Sequence, residues 1–200
     1  MHKYTVKGHP RVKIIICITI FAGIISSFIN EQIQVISNNF NMTITYSISV
    51  LTCSTLLYIF FSKVVWKNKF FRYLFKYPNF NGEWIINGRS FNEKLNKEFK
   101  WEGKLIITQT WDEILIILRT KSSSSDSRST LGNIEHIKGH GYKLTYEYNN
   151  NPNMCAEKDM RKHEGKCDLI FNENFLEAKG NYFNNNRDRS TNGELILTKE

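Results

Sequence analysis

Acidic residues are almost absent from the first 76 positions of the 200-residue chain, where Glu31 is the only one against nine Lys or Arg. From position 77 onward, basic and acidic residues balance at 18 each. The net charge of +8 therefore belongs to the first 76 positions, where the basic residues flank two apolar segments. This distribution is typical of membrane topology and disfavours an electrostatic DNA-binding face.

Cysteines are few, and the common catalytic motifs are missing. Two of the four cysteines lie in the apolar segments, and Cys155 and Cys167 have neither CxxC spacing nor a metal-ligand set around them. We expect reduced thiols, with a Cys155–Cys167 disulfide as the alternative. No GxSxG, HExxH or Walker sequence is present, and strand pleating would send Asp112 and Glu113 to opposite faces. The sequence therefore predicts no enzyme, no metal site and no resident cofactor.

Two apolar runs occupy the N-terminal third of the chain, over 12–29 and 44–61. Each is 18 residues long, close to the ~20 that a helix needs to cross ~30 Å of hydrocarbon. Neither run has the polar face of an ordinary core helix, and no signal-peptide cleavage motif follows the first. Two transmembrane helices are expected, with two buried core helices or a cleaved signal peptide as the alternatives.

The positions of the basic residues predict how these helices are oriented. A cytoplasmic tail over 1–11, a short external loop over 30–43 and a basic-aromatic linker over 62–78 would place both termini in the cytoplasm. The linker contains KVVWKNKFFRYLFKY and ends at Pro78. It predicts an interfacial amphipathic helix, with its aromatic side chains at headgroup level and its lysines facing anionic lipid.

Eight candidate strands, separated by turn signals, follow in residues 79–200. They extend over 82–91, 98–109, 112–121, 127–136, 141–149, 164–171, 175–183 and 192–199. Polar and apolar side chains alternate along them, so that Trp101, Leu105 and Ile107 of the second strand share one face. Eight sequential strands with short loops predict an all-β domain, an eight-stranded up-and-down β-barrel, with a β-sandwich as the alternative. Side chains can fill such a barrel, or it can hold one small ligand.

Polar and aromatic side chains occur where a filled apolar barrel would have none. Hydroxyl and guanidinium groups suit phosphate, and tyrosines suit a stacked base. The candidate ligand-binding residues are Thr120, Ser122, Ser124, Tyr146, Tyr148, Tyr182, Arg187 and Arg189. The residues alone fit a phosphorylated aromatic ligand, and they also fit a solvated serine loop and a charged loop tip.

The order of several short motifs resembles a known family. The motifs are Gly82-Glu-Trp84, Trp101-Glu-Gly103, Ile107-Thr-Gln-Thr-Trp111, Thr120 before a serine-rich turn, Leu144-Thr-Tyr146-Glu-Tyr148-Asn-Asn150-Asn-Pro152, His163-Glu-Gly165, Gly180-Asn-Tyr182, Arg187-Asp-Arg189 and Gly193. With the two preceding apolar runs, the chain resembles the SMODS-associated two-transmembrane β-strand-rich effectors of bacterial CBASS systems, the CD-NTase-associated protein 15 family. The resemblance covers essentially the whole chain.

The resemblance implies an anti-phage effector. In that family a CD-NTase enzyme makes a cyclic dinucleotide, the barrel binds it, the protein forms homo-oligomers, and the inner membrane is disrupted in abortive infection. It implies a multi-pass protein of the bacterial inner membrane, with the cyclic dinucleotide, the lipid bilayer and further copies of itself as partners. Two alternatives remain: a membrane-tethered, lipocalin-like carrier of a lipid or small metabolite, and a purely structural membrane protein.

Overall fold

The chain forms two compact units, a helical unit and a barrel unit. The computed structural model describes residues 1–9, 11–40, 47–92, 97–121, 125–152, 163–185 and 191–200, with only the backbone at 125, 152 and 185. The helical unit is His9–Phe75. The barrel unit combines Met1–Gly8 with Lys76–Glu200.

The helical unit contains two helical segments long and apolar enough to cross a membrane, as predicted: Arg11–Asn39, and Val50–Lys67, in which a 3-10 turn follows the second α-helix. Its elements are α1 (Arg11–Asn39), α2 (Val50–Lys63), a 3-10 turn (Val65–Lys67) and α3 (Lys69–Phe75). Helix α1 extends ten residues beyond the predicted end at Ile29, because the polar stretch that follows contains neither Gly nor Pro to stop it. Residues 41–46, where the predicted loop ends and the second run begins, lie outside the described residues.

Polar side chains of α1 hold the start of α2. The Ser26 hydroxyl donates to the Ile48 carbonyl oxygen at 2.6 Å, and the Asn30 side-chain amide donates to the same oxygen at 3.0 Å. The Ile48 amide in turn donates to the Asn30 side-chain oxygen at 2.8 Å. Ser49 caps α2 by accepting a hydrogen bond from the Thr52 amide. Three hydrogen bonds to Ile48 therefore join α1 to the residues just before α2.

The barrel unit confirms the predicted eight-stranded up-and-down barrel. Each of its eight long strands matches a predicted strand to within three residues at both ends. They are β3 (Gly82–Asn92), β4 (Lys97–Gln109), β5 (Glu113–Thr120), β6 (Ser125–Ile137), β7 (Gly141–Pro152), β8 (His163–Phe171), β9 (Glu177–Asn185) and β10 (Thr191–Lys199). Each pairs with its neighbours in sequence, and β10 pairs with β3, so the sheet closes on itself and is not a sandwich.

Two further short strands come from the N-terminus, and the sequence did not predict them. They are β1 (His2–Lys3) and β2 (Thr5–Val6). Strand β1 pairs antiparallel with the start of β5, and β2 pairs parallel with β6. Residues that were expected to form part of a cytoplasmic tail therefore belong to the barrel.

Side chains fill the interior of one half of the barrel. We call the end at which β3 begins the base and the opposite end the mouth. The base half is packed with buried apolar side chains, among them Trp84, Ile86, Leu105, Ile107, Ile114, Ile116, Ile134, Leu144, Leu169, Phe171, Leu195 and Leu197. Close ring pairs, Tyr77 with Trp111 at 4.2 Å and Phe80 with Phe171 at 4.3 Å, close this end. A ligand inside the barrel must therefore occupy the mouth half.

Candidate ligand-binding site

The inward-facing side chains change from apolar to polar and aromatic in the mouth half. The same alternation that buries the base-half residues points the following residues inward: Ser90, Asn92, Trp101, Thr120, Ser127, Ser129, Tyr146, Tyr148, Asn150, His163, Cys167, Tyr182, Asn184 and Thr191. Lys97, which pairs with Asn92 at the mouth end of β4, has the same parity, and its side chain is exposed. Apart from Lys97, the described mouth half offers aromatic rings and neutral hydrogen-bonding groups.

Glycines opposite three of the aromatic residues let the rings lie against the barrel wall. Trp101 pairs with Gly88 on the next strand, Tyr148 with Gly165, and Tyr182 with Gly193. A Cβ atom at these glycines would lie 2.2 Å, 2.5 Å and 2.6 Å from the respective rings. Since real Cβ atoms do not approach so closely, any larger residue would push the ring away from the wall and into the interior.

A hydroxyl network fixes two of these rings. The Trp101 indole N–H donates to Ser90 Oγ at 2.8 Å, and Ser90 Oγ is also hydrogen-bonded to the Tyr182 hydroxyl. The ring centroids of Trp101 and Tyr182 are 6.2 Å apart in an edge-on arrangement. Ser90 therefore joins two aromatic residues that are about 80 positions apart in sequence and have two strands, β3 and β10, between them in the sheet.

Asparagines make a second set of polar contacts in the mouth half. The Tyr148 hydroxyl donates to the Asn184 side-chain oxygen, and the Asn184 amide donates to Thr191 Oγ1 at 2.9 Å. Asn150 accepts a 3.0 Å hydrogen bond from the Ser127 hydroxyl. Asn150 is only 4% exposed, so its amide is positioned by the wall rather than by solvent.

Burial keeps the ionisable groups of this wall neutral. It raises the pKa of the Cys167 thiol to about 12 and raises the pKa of Tyr146 well above its usual value. The pKa values of Tyr148 and Tyr182 are raised by burial as well. At neutral pH these hydroxyls donate and accept hydrogen bonds without carrying charge. Among the described residues of inward parity at the mouth, Lys97 is the one that carries the positive charge that phosphate groups favour.

The structure brings together the predicted tyrosines. Tyr146 and Tyr148 have ring centroids 6.1 Å apart, and Tyr182 lies across the intervening strand β8 from them. Thr120 is the last residue of β5 and has the inward-facing parity. The other four predicted residues, Ser122, Ser124, Arg187 and Arg189, lie outside the described residues, in segments that connect strands at the mouth end.

Several polar residues of the mouth half were not predicted as ligand-binding residues. They are Ser90, Asn92, Trp101, Ser127, Ser129, Asn150, His163, Cys167, Asn184 and Thr191. Alternation alone could have found Trp101, whose inward face was correctly predicted. The asparagines resembled turn residues, because they stand next to the strand ends where turn signals cluster.

An open cavity of about 450 Å³ lies along the wall formed by β3, β4, β9 and β10. Most of its lining residues alternate with the inward-facing ones on their strands, so the cavity opens mainly on the outer face of the barrel. They are Arg89, Phe91, Glu98, Asn181, Asn192 and Glu194. Tyr182 and Gly193 complete the lining, so the cavity shares these two wall residues with the mouth half.

Comparison with known proteins identifies one family and one relative. The family model described as "Cap15, cyclic dinucleotide receptor domain" matches residues 75–199. The chain is also similar to CD-NTase-associated protein 15 of Yersinia aleksiciae, with 37% identity over 143 residues. That match covers 72% of this chain and 65% of the relative, so the chain spans just under two thirds of the relative's length. The family match contains β3 to β10 and does not contain β1 or β2.

Proposed function

The chain belongs to the family of Cap15 cyclic dinucleotide receptor domains, and from this membership we propose that it is a membrane-anchored CBASS effector that binds a cyclic dinucleotide. The observation that supports this function best is the neutral, aromatic and hydrogen-bonding interior of the mouth half above a filled base. A carrier of lipid would need an apolar cavity, and a purely structural barrel would have no need for inward-facing tyrosines and asparagines.

The mouth half contains groups that can bind the bases and riboses of a cyclic dinucleotide. The rings of Tyr146, Tyr148 and Tyr182 can stack on the bases, and the side-chain amides of Asn150 and Asn184 can hydrogen-bond base edges or ribose hydroxyls. For the two phosphates we propose the guanidinium groups of Arg187 and Arg189 and the hydroxyl groups of Thr120, Ser122 and Ser124. The described strands on either side of these two segments end at the mouth, at Thr120 of β5 and at the start of β10.

We further propose that ligand binding drives assembly. In this proposal a partner CD-NTase enzyme makes the cyclic dinucleotide during phage infection, and the ligated barrels associate into homo-oligomers. A ligand shifts such an equilibrium only if it binds the assembled state more tightly than the single copy. Confinement to a membrane raises the local concentration of copies and so favours association. The assembled helical units then disrupt the inner membrane, in an abortive infection.

The barrel unit itself supports the proposed topology. Met1–Gly8 precedes both apolar helices and Lys76–Glu200 follows them, yet the two segments share one sheet. They must therefore lie on the same side of the membrane, which requires an even number of crossings. Two crossings with a cytoplasmic barrel agree with the positive-inside rule, and we expect α3 and the preceding basic residues to lie at the headgroup level.

Titration with defined ligands tests the function. The full chain in detergent micelles is melted in the presence of each member of a panel of cyclic dinucleotides, with the corresponding linear dinucleotides as controls. We expect one cyclic dinucleotide to raise the melting temperature, since a ligand at ~100 times its dissociation constant stabilises by ~2.7 kcal/mol. No shift with any member, for a chain that melts cooperatively, would contradict the receptor function and favour a structural role.

A further inference from the structure

The N-terminal segment Met1–Gly8 lies outside the matched family domain but inside the barrel. We infer that this segment has two roles in the receptor. It closes the junction between β5 and β6, which we call the seam, and it positions the β6 wall of the ligand-binding mouth. The closing role stands on the fold alone. The positioning role rests on the proposed function.

The seam is the weakest junction between neighbouring strands of the barrel. Strands β5 and β6 pair directly at only three positions, Ile117–Arg119 with Asp126–Arg128, close to the mouth. Toward the base, β1 pairs with the edge of β5 at Ile114, and β2 pairs with the edge of β6 at Ile134. The Lys7 amide adds a 2.9 Å hydrogen bond to the Ile134 carbonyl. Without the segment, the base halves of both strand edges would be left unpaired.

Tyr4 anchors the segment in the interior. It is 2% exposed, and its hydroxyl donates to the Thr110 carbonyl at 2.9 Å and accepts from the Gln109 amide at 2.9 Å. The same hydroxyl is within hydrogen-bond distance of the Tyr77 hydroxyl, at 2.5 Å. Gln109 also accepts from the Phe80 amide. Tyr4 therefore completes a buried polar network at the base, and a network of this kind is costly when one member is missing.

His2 connects the segment to the mouth. Its Nε2 atom lies 2.7 Å from Ser129 Oγ, and Ser129 Oγ accepts a 2.9 Å hydrogen bond from the Ile116 amide. Ser129 lies at the β-bulge of β6, where the register against β7 shifts. Two residues further toward the mouth, Ser127 holds Asn150. Through Ser129, the segment thus fixes the bulge of β6 from which the Ser127 and Ser129 hydroxyl groups face the proposed ligand site.

The segment also ties together the two places where the chain leaves the barrel. Gly8 is the last barrel residue before the helical unit, and Lys76 is the first after it. The contact between Tyr4 and Tyr77 joins the chain near both of these exits.

The first test measures stability and needs no ligand. Tyr4→Ala and Tyr4→Phe are made in the full chain, with Tyr73→Ala as a control, because Tyr73 is 88% exposed. We expect Tyr4→Ala to lower the melting temperature of the β signal by at least about 5 °C, Tyr4→Phe to lower it less, and Tyr73→Ala to leave it unchanged. Equal melting of all variants would overturn the closing role.

The second test locates the segment directly. Thr5 pairs with Asn133 across the seam, and its hydroxyl donates to the Asn133 side chain at 2.7 Å. Cysteines at both positions should form a disulfide within one chain in the full-length protein. Cysteines at Thr5 and Thr145, one strand further away, should not. Crosslinks that form only between chains would show that the segment belongs to another copy and would overturn the assignment to its own barrel.

The third test concerns ligand affinity. His2→Ala removes the contact with Ser129, and Lys3→Ala removes the neighbouring exposed side chain as a control. We expect His2→Ala to weaken cyclic dinucleotide binding at least threefold and Lys3→Ala to leave it unchanged. Unchanged affinity of His2→Ala, beside a wild type that binds, would overturn the positioning role. A wild type that binds no ligand would contradict the proposed function and with it the positioning role, while the first two tests would still decide seam closure.

Discussion

At the scale of single residues, the glycines opposite the aromatic rings control the width of the mouth. In Gly165→Ala the new Cβ would lie 2.5 Å from the Tyr148 ring and hydroxyl, so the ring must move and lose its hydrogen bond with Asn184. We expect ligand affinity to fall at least tenfold and the free energy of unfolding to fall by about 1–3 kcal/mol. Isothermal titration and thermal melting measure the two effects. Gly23→Ala, with no atom within 4 Å of its new Cβ, is the control.

Phosphate recognition is proposed for residues outside the described part of the chain. In Arg187→Glu or Arg189→Glu, the loss of a charge-assisted hydrogen bond of about 1.5–3 kcal/mol should weaken binding at least tenfold. Folding should be unaffected, because surface substitutions usually change stability by less than about 0.5 kcal/mol. Arg128→Glu, an exposed position on the outer face of β6, is the matched control. Wild-type affinity in a folded Arg187→Glu, Arg189→Glu double variant would contradict the assignment.

The buried thiol in the same wall predicts a loss of stability at alkaline pH. The pKa of Cys167 is about 12 in the fold against 9.0 ordinarily. Above pH 9 the unfolded chain loses a proton that the folded chain keeps, so this contribution to stability is complete below pH 9 and lost as the pH rises toward 12. We expect the melting temperature of wild type to fall over this window and Cys167→Ala to show a flatter profile. Cys17→Ala should keep the wild-type slope, and identical slopes for all three would contradict the prediction.

At the scale of elements, the long strands were predictable and the short ones were not. Strands β3 to β10 have 8 to 13 residues, long enough for alternation and flanking turn signals to be read from the sequence. Strands β1 and β2 have two residues each and exist only because the edges of β5 and β6 accept them. Their formation depends on contacts more than 100 positions away in sequence, which no local pattern records.

The two helices were predictable as apolar runs, but the contact between them was not. Asn30 makes two hydrogen bonds to Ile48, whereas the Thr19 hydroxyl bonds the Ile15 carbonyl of its own helix. Asn30→Ala should therefore lower the stability of the helix pair by about 1 kcal/mol, at ~0.6 kcal/mol per bond in lipid. Thr19→Ala should change it by less than about 0.5 kcal/mol. Unfolding of the full chain in a detergent titration, followed by helical circular dichroism, measures the difference. Equal stability of the two variants would contradict this role of Asn30.

At the scale of the whole molecule, the site is only half visible in the sequence. The tyrosines were predicted because alternation places them inside a strand-rich domain. The residues that orient them were missed, because Ser90 reaches Tyr182 through a barrel closure between β3 and β10 that joins distant parts of the chain. Polar residues near strand ends look the same in the sequence whether they face solvent or the mouth.

The last prediction joins ligand binding in the barrel unit to the state of the membrane. The Thr19 and Thr55 hydroxyls bond carbonyls of their own helices, and Ser26 bonds Ile48. These described hydroxyls already donate hydrogen bonds within one copy of the chain. A further hydrogen bond between the helices of two copies would contribute only ~0.6 kcal/mol in lipid. The helical units should therefore stay dispersed until ligated barrels bring them together.

Co-expression with an active cyclic dinucleotide synthase tests this coupling in cells. We expect the full chain to give larger crosslinked species and membrane depolarisation with the active synthase, and neither with a catalytically inactive one. The Gly165→Ala chain, with its mouth obstructed, should respond weakly to the active synthase although its helical unit is unchanged. A saturated wild-type receptor that stays monomeric in a sealed membrane would rule out membrane disruption, because the ligand would then favour neither assembly nor a changed helical unit. The receptor would in that case have to act through a different protein.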